Sequence, residues 1–124
     1  MIVLDYQDRR PIYEQVTDKF QILILNGVLP PGSQMPSVRQ LATELSVNPN
    51  TIQRAYMELE KLGLIYPVKG RGNFVADSSQ VQKINRESYR KEFTALIQKG
   101  RNTGFNREEL EKMLAEIIEK EDES

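Results

Sequence analysis

Apolar residues recur at helical spacing in two short runs near the middle of the chain, and a tight turn separates the runs. The first run follows Ser37, a good helix N-cap, and has its apolar residues on one face: Val38, Leu41, Ala42 and Leu45. The second begins at Asn50 or Thr51 and ends at Gly63, with a similar face: Ile52, Ala55, Tyr56, Leu59 and Leu62. The pattern predicts a helix–turn–helix, which can place its second helix in a DNA major groove.

The polar face of the second predicted helix carries side chains that can reach base edges or phosphates. They cluster in its first turn and just before it: Asn48, Pro49, Asn50, Thr51, Gln53 and Arg54. A recognition helix makes its base contacts from its N-terminal end. We therefore predict that this cluster faces DNA.

A basic hairpin follows the second helix. Residues 64–68 and 73–75 predict two short strands around Lys69, Gly70, Arg71 and Gly72. Such a wing can lie on phosphates or probe a minor groove. Helix–turn–helix patterns also occur in folds that do not bind DNA, and a Lys-Gly-Arg-Gly turn is more often only a solvated hairpin. In this order and at this spacing, however, the three features together predict nucleic-acid binding.

Two further segments complete the predicted winged unit. Residues 2–4 suggest a short strand, and a helix is predicted from about Arg10 to Gly27. The end of that helix, residues 20–25, is apolar nearly all round, which is more than a single buried stripe requires. Core packing explains most of this surface, and contact with the C-terminal helices or a partner subunit would explain the rest.

The last third of the chain predicts a helical hairpin. A polar hinge at 76–80 precedes a helix over about 81–100, and a second helix starts at Asn106, which forms a capping box with Glu109. About 40 residues cannot bury both apolar stripes alone, so we expect a second subunit to cover them. The expected dimer contacts are Tyr89, Phe93, Leu96, Ile97, Leu110, Met113, Leu114 and Ile117. The alternative is that the hairpin folds back on its own winged unit.

The fold class expected is therefore mostly α with a small β-wing. We expect residues 1–76 to form a winged helix–turn–helix DNA-binding domain and residues 77–124 to form a two-helix dimerisation segment.

One segment closely resembles a known family. The run PPGSQMPSVRQLATELSVNPNTIQRAYMELEKLGLIYPVKGRGNFV resembles the winged helix–turn–helix domain of GntR-family bacterial transcription regulators. The runs RPIYEQV and SVNPNTIQRAYMELEKLGLI are characteristic of its small YtrA-like subfamily. The match covers about residues 9–76, whereas the tail is similar in length and helical character.

The resemblance implies a homodimeric, operator-binding transcription factor, usually a repressor. By position in the motif it places the family's DNA contacts on Arg39, Asn48, Asn50, Thr51, Gln53, Arg54, Lys69 and Gly70. To these the basic wing adds Arg71. Many relatives have a basic residue where this chain has Pro49, so no phosphate contact is implied there.

Composition argues against catalysis and metal binding. With no cysteine and no histidine, the chain lacks disulfides, the usual zinc ligands and the commonest general base. Phosphate-loop, dinucleotide and nucleophile-elbow patterns are also missing from the sequence. We expect no enzyme activity, cofactor or metal. No leader and no apolar run of about 20 residues is found, so we expect a cytoplasmic protein without membrane contact.

The charge distribution is consistent with DNA binding when the two parts of the chain are considered separately. The net charge is −1; residues 1–76 hold eight Lys or Arg against seven Asp or Glu, and residues 77–124 hold nine against eleven. Four cations lie in the elements expected to face DNA: Arg39, Arg54, Lys69 and Arg71. With so few cations, non-specific affinity should be modest and strongly salt-dependent.

A protein-interaction module without DNA binding is the alternative function. Such a module would be expected to carry apolar or acidic residues where this chain has the 48–54 cluster and the 69–71 tip. We further expect no dedicated ligand-sensing domain. We expect a releasing ligand to act by changing the distance or angle between the two winged domains, from a position between the dimer interface and residues 22–25.

Overall fold

Five helices and one two-stranded antiparallel sheet make up the computed structural model, which describes residues 2–124. The helices are α1 (Ile12–Leu25), α2 (Val38–Leu45), α3 (Pro49–Lys61), α4 (Ser79–Asn102) and α5 (Arg107–Asp122). The strands are β1 (Ile65–Val68) and β2 (Gly72–Val75). The mostly helical class with a small β-wing is confirmed.

Local capping signals fix where the helices begin. The Ser37 hydroxyl caps α2 by accepting a 3.1 Å hydrogen bond from the Gln40 amide, as the sequence predicts. The start predicted for α3, Asn50 or Thr51, is wrong by at least one residue. This helix begins at Pro49, which is suited to a first helical position because it needs no N–H partner there, and Asn48 is the N-cap.

The core of the first compact unit lies where α1, α2, α3 and the sheet meet. Phe20 of α1 packs edge-to-face against Tyr56 of α3, with ring centroids 6.0 Å apart, and both are almost fully buried. The strand suggested at residues 2–4 is not formed. Ile2 instead contributes its side chain to this core without strand pairing.

A third segment extends the wing on the β2 side. Within the hairpin, Ile65 pairs with Val75 and Val68 with Gly72. The Met35 amide donates to the Asn73 carbonyl at 2.8 Å, and the Gly32 amide donates to the Val75 carbonyl at 2.8 Å. The proline- and glycine-containing connection before α2 thus has a structural role, because it ties β2 to the helical core.

The first compact unit ends at Lys83, inside α4, and the second is Ile84–Ser124. Ser78 is buried, and the Gln82 side-chain amide donates to the Leu25 carbonyl, so the start of α4 belongs to the winged unit. The compact winged unit therefore extends beyond the polar hinge at 76–80.

The second unit consists of the remainder of α4 and of α5, with a short turn at residues 103–106 between them. The capping box is confirmed: Asn106 Oδ1 accepts from the Glu109 amide at 2.9 Å, and Glu109 Oε1 accepts from the Asn106 amide at 3.1 Å. Gly100 lets the helices approach closely, since a Cβ there would lie 3.2 Å from Leu110 Cδ2. None of the helices in residues 2–124 is long and apolar enough to cross a membrane.

Candidate nucleic-acid interface

The N-terminal turn of α3 presents polar side chains to solvent. Asn50, Gln53 and Arg54 are exposed, whereas Thr51 is half-buried. No acidic residue lies in this first turn, so the positive end of the helix dipole is not offset there. The arrangement is suited to amide-to-base hydrogen bonds and to phosphate contacts.

Asn48 has a structural role at the same place. Its side-chain oxygen accepts a 2.8 Å hydrogen bond from the Asn50 amide and so caps α3. The side chain is nevertheless exposed, and its NH₂ group keeps two donors. Asn48 can therefore donate to DNA from its amide nitrogen while its oxygen keeps the cap.

The start of α2 provides a second exposed turn. Arg39 lies in it, two positions after the Ser37 cap, and this turn also lacks acidic residues. Tyr56 of α3 holds the segment before α2 in place, because its buried hydroxyl donates a 2.7 Å hydrogen bond to the Pro36 carbonyl. Burial raises the pKa of this phenol, so the hydroxyl stays protonated and remains a donor.

The wing tip holds its two cations on a tight turn. Lys69, Gly70 and Arg71 are all exposed, and the Arg71 amide donates to the Val68 carbonyl at 2.9 Å. Gly70 has a φ of 77°, a conformation that favours glycine. The turn is closed by backbone atoms, which leaves both cationic side chains available for phosphates.

Acidic partners engage other cations, not those of the expected DNA face. In the described part of the chain, ion pairs join Arg10 to Asp8 and Asp18, Lys61 to Glu58, and Arg107 to Glu111. The hydrogen bonds that the Arg10 guanidinium donates to the two aspartates raise the pKa of Arg10. Within residues 2–124, none of these pairs involves Arg39, Arg54, Lys69 or Arg71. Their charge is left for an external anion.

Two residues that the sequence did not single out support this surface. Gln34 donates from its side-chain nitrogen to the Arg71 carbonyl at 2.8 Å and so holds the wing tip. Tyr13 of α1 lies under Arg54, whose guanidinium carbon is 3.8 Å from the ring centroid. Both contacts join segments about 40 positions apart, so no local pattern could have indicated them.

The residues expected to form a dimer contact lie together on the hairpin of the second unit. A groove of about 360 Å³ between α4 and α5 is lined mainly by apolar side chains: Phe93, Leu96, Ile97, Phe105, Leu110, Met113, Leu114 and Ile117. Several are strongly exposed, including Leu96 at 64% and Ile117 at 54%. Tyr89 is 67% exposed and stacks on Phe93, with ring centroids 6.2 Å apart.

Known proteins are similar to this chain in both sequence and fold. A family model described as bacterial regulatory proteins, gntR family, matches residues 12–75, from the start of α1 to the end of β2. The HTH-type transcriptional repressor YtrA of Bacillus subtilis (strain 168) is 34% identical over 119 residues, which cover 94% of this chain and 92% of the relative.

Solved structures agree with this similarity. A GntR family transcriptional regulator from Listeria monocytogenes matches with a TM-score of 0.71 at 33% identity, covering 91% of this chain and 98% of that one. A crystal structure of AraR(DBD) in complex with operator ORE1 matches with a TM-score of 0.53 at 32% identity, covering 61% of this chain and 93% of that one.

Proposed function

The chain belongs to the GntR family of bacterial regulatory proteins, in its small YtrA-like subfamily, and is a DNA-binding transcription regulator; we propose that it acts as a homodimeric repressor on an inverted-repeat operator. Repression is proposed because the relative that matches almost the whole chain is named a transcriptional repressor. Operator DNA is proposed as the ligand because it is bound to the AraR domain that shares the winged fold.

The unpaired cations of the winged unit are the observation that carries this function. Arg39 and Arg54 lie on α2 and α3, and Lys69 and Arg71 lie on the wing tip. All four are exposed and have no carboxylate partner within residues 2–124. Phosphate contacts by such residues provide affinity, whereas the amides of Asn50 and Gln53 can read bases.

The exposed apolar groove of the hairpin supports the proposed homodimer. Soluble monomers rarely expose a large contiguous apolar patch. A second copy of the same hairpin would cover it, since a two-fold interface brings the same surface patch of both subunits together. Two winged units joined in this way would present two recognition helices related by the dimer axis. An inverted-repeat operator matches that symmetry.

A single charged substitution tests the dimer. We expect the full-length protein to be a dimer by light scattering at micromolar concentration and Leu114→Glu to be a monomer, because the new carboxylate would lie in the apolar interface. Operator affinity should fall by at least tenfold, since the half-sites are then bound independently.

Ala115→Glu is the matched control. It adds the same charge at the next position of α5, off the apolar stripe, and should remain dimeric. A wild-type monomer, or a dimer that survives Leu114→Glu, would contradict the proposed interface.

A further inference from the structure

We propose that Tyr13 is a positioning residue for DNA recognition, because its ring holds the guanidinium of Arg54 ready for a phosphate. The inference rests on the proposed function and adds to it a residue outside the helix–turn–helix. Tyr13 lies in the second position of α1, whereas Arg54 lies in α3. The contact therefore joins the first helix of the unit to the recognition helix.

The geometry is that of a cation–π contact. The guanidinium carbon of Arg54 lies 3.8 Å from the centroid of the Tyr13 ring, well inside the ~6 Å range of this interaction. A planar guanidinium on an aromatic face keeps its N–H groups at its rim, where they can still donate. The tyrosine hydroxyl takes no part in this contact; it donates to Glu14 at 3.3 Å.

Arg54 lies on the face of α3 that carries the expected base contacts. Asn50 lies four positions before Arg54, so the two side chains share one face of the helix. Arg54 is exposed and has no carboxylate within 4.0 Å in the described residues. The guanidinium is thus fixed on one side by the ring and is available to an external anion on the other.

A competing acid explains why such a residue is needed. Glu58 lies four positions after Arg54, a spacing at which opposite charges can pair along a helix, although the pair is weaker with the cation first. It pairs instead with Lys61 at 3.5 Å, and it lines the same shallow pocket as Tyr13. Stacking on the Tyr13 ring keeps the Arg54 guanidinium away from the Glu58 carboxylate. Without the ring, Arg54 would be free to pair with Glu58 and would be lost to DNA.

Substitutions of Tyr13 in the full-length protein test this role. The probe is the inverted repeat that footprinting identifies upstream of the protein's own gene. Tyr13→Leu keeps an apolar side chain but removes the π-face, so operator affinity should fall about two- to fivefold, the size of an exposed cation–π contact. Tyr13→Phe keeps the ring and should bind as the wild type does. In an Arg54→Ala background, Tyr13→Leu should have no further effect.

A measurement without DNA separates positioning from a general loss of structure. In the wild type, NMR should show the Arg54 side-chain protons shifted by the ring current of Tyr13, and Tyr13→Leu should remove this shift while the rest of the spectrum remains. If Tyr13→Leu does not fold, Tyr13→Met replaces it: this side chain is also apolar and has no π-face, and affinity should again fall.

The outcomes distinguish the two proposals. Wild-type affinity in Tyr13→Leu or, where that variant does not fold, in Tyr13→Met overturns the positioning role and leaves the proposed repressor intact. An equal loss for Tyr13→Leu with and without Arg54 also overturns it, because the tyrosine would then act through another group. A wild-type protein that binds no duplex overturns the proposed function and the positioning role together.

Discussion

At the residue scale, the side chains at the start of α3 combine a structural and a recognition role. Asn48 caps the helix with its oxygen, while Asn50 and Gln53 extend from the following turn. A substitution in this cluster can therefore lower DNA affinity either by removing a contact or by fraying the helix. Stability and affinity have to be measured on the same variants.

Asn48 offers a way to separate these roles. Asn48→Asp should keep the stability of the wild type, because aspartate caps a helix as well as asparagine does, but its carboxylate should repel phosphates and lower DNA affinity. Asn48→Ala should lower the free energy of unfolding by about 1 kcal/mol. Thermal unfolding and DNA titrations of both variants provide the check. Wild-type DNA affinity in Asn48→Asp would place Asn48 away from DNA.

Alanine substitutions of Gln53 and Lys69 should affect DNA binding differently if Gln53 contacts bases and Lys69 contacts phosphates. Gln53→Ala should cost about 1–3 kcal/mol on the operator and relax the preference at one base pair. Lys69→Ala should weaken binding to all DNA sequences alike and reduce the slope of log affinity against log salt concentration by about one unit. Titrations on operator and scrambled duplexes at several salt concentrations distinguish the two. Unchanged specificity in Gln53→Ala would show that the recognition face is misplaced.

The sequence predicts local contacts well and distant ones poorly. Ser37 with Gln40 and Asn106 with Glu109 are three positions apart, so their capping follows from residue type and spacing alone. Tyr13 with Arg54 depends on how α1 packs against α3. Gln34 with Arg71, 37 positions apart, depends on the segment that extends the wing. Tertiary packing brings the members of these pairs together, so the periodicity of the sequence cannot predict the contacts.

At the element scale, the turn between α2 and α3 contains the one positive-φ residue other than glycine in the described chain. Ser46, the C-cap of α2, has φ 56° and ψ 45°, the left-handed conformation that costs an L-residue about 1–2 kcal/mol. The loss of periodicity at residues 46–50 predicts a turn here. It does not predict which residue takes this conformation, because serine has no strong preference for it.

Ser46→Gly should therefore stabilise the winged unit. Glycine removes the Cβ strain but gains entropy in the unfolded chain, so the net increase in the free energy of unfolding should be about 0.5–1 kcal/mol. Ser33→Gly, in a connection where serine has no positive φ, is the control and should not stabilise. Chemical denaturation of both variants tests this. A destabilised Ser46→Gly would mean that the serine side chain makes a contact that outweighs the strain.

At the scale of the whole molecule, the near-neutral net charge is reconciled with DNA binding by where the charges lie. The carboxylates that form ion pairs engage Arg10, Lys61 and Arg107, whereas the winged unit leaves its four expected contact cations unpaired within residues 2–124. Affinity of a single unit from so few phosphate contacts should be modest. The proposed dimer compensates, because joining two units makes the second binding event intramolecular.

The spacing of the operator half-sites tests this account most directly. Inserting five base pairs between them turns one half-site by about half a helical turn, to the opposite face of the duplex. A control duplex replaces the spacer sequence at constant length. In titrations of the full-length protein, we expect the insertion to abolish high-affinity binding and the control to retain it. Unchanged affinity after the insertion would show that the subunits bind independently and would contradict the dimeric mechanism.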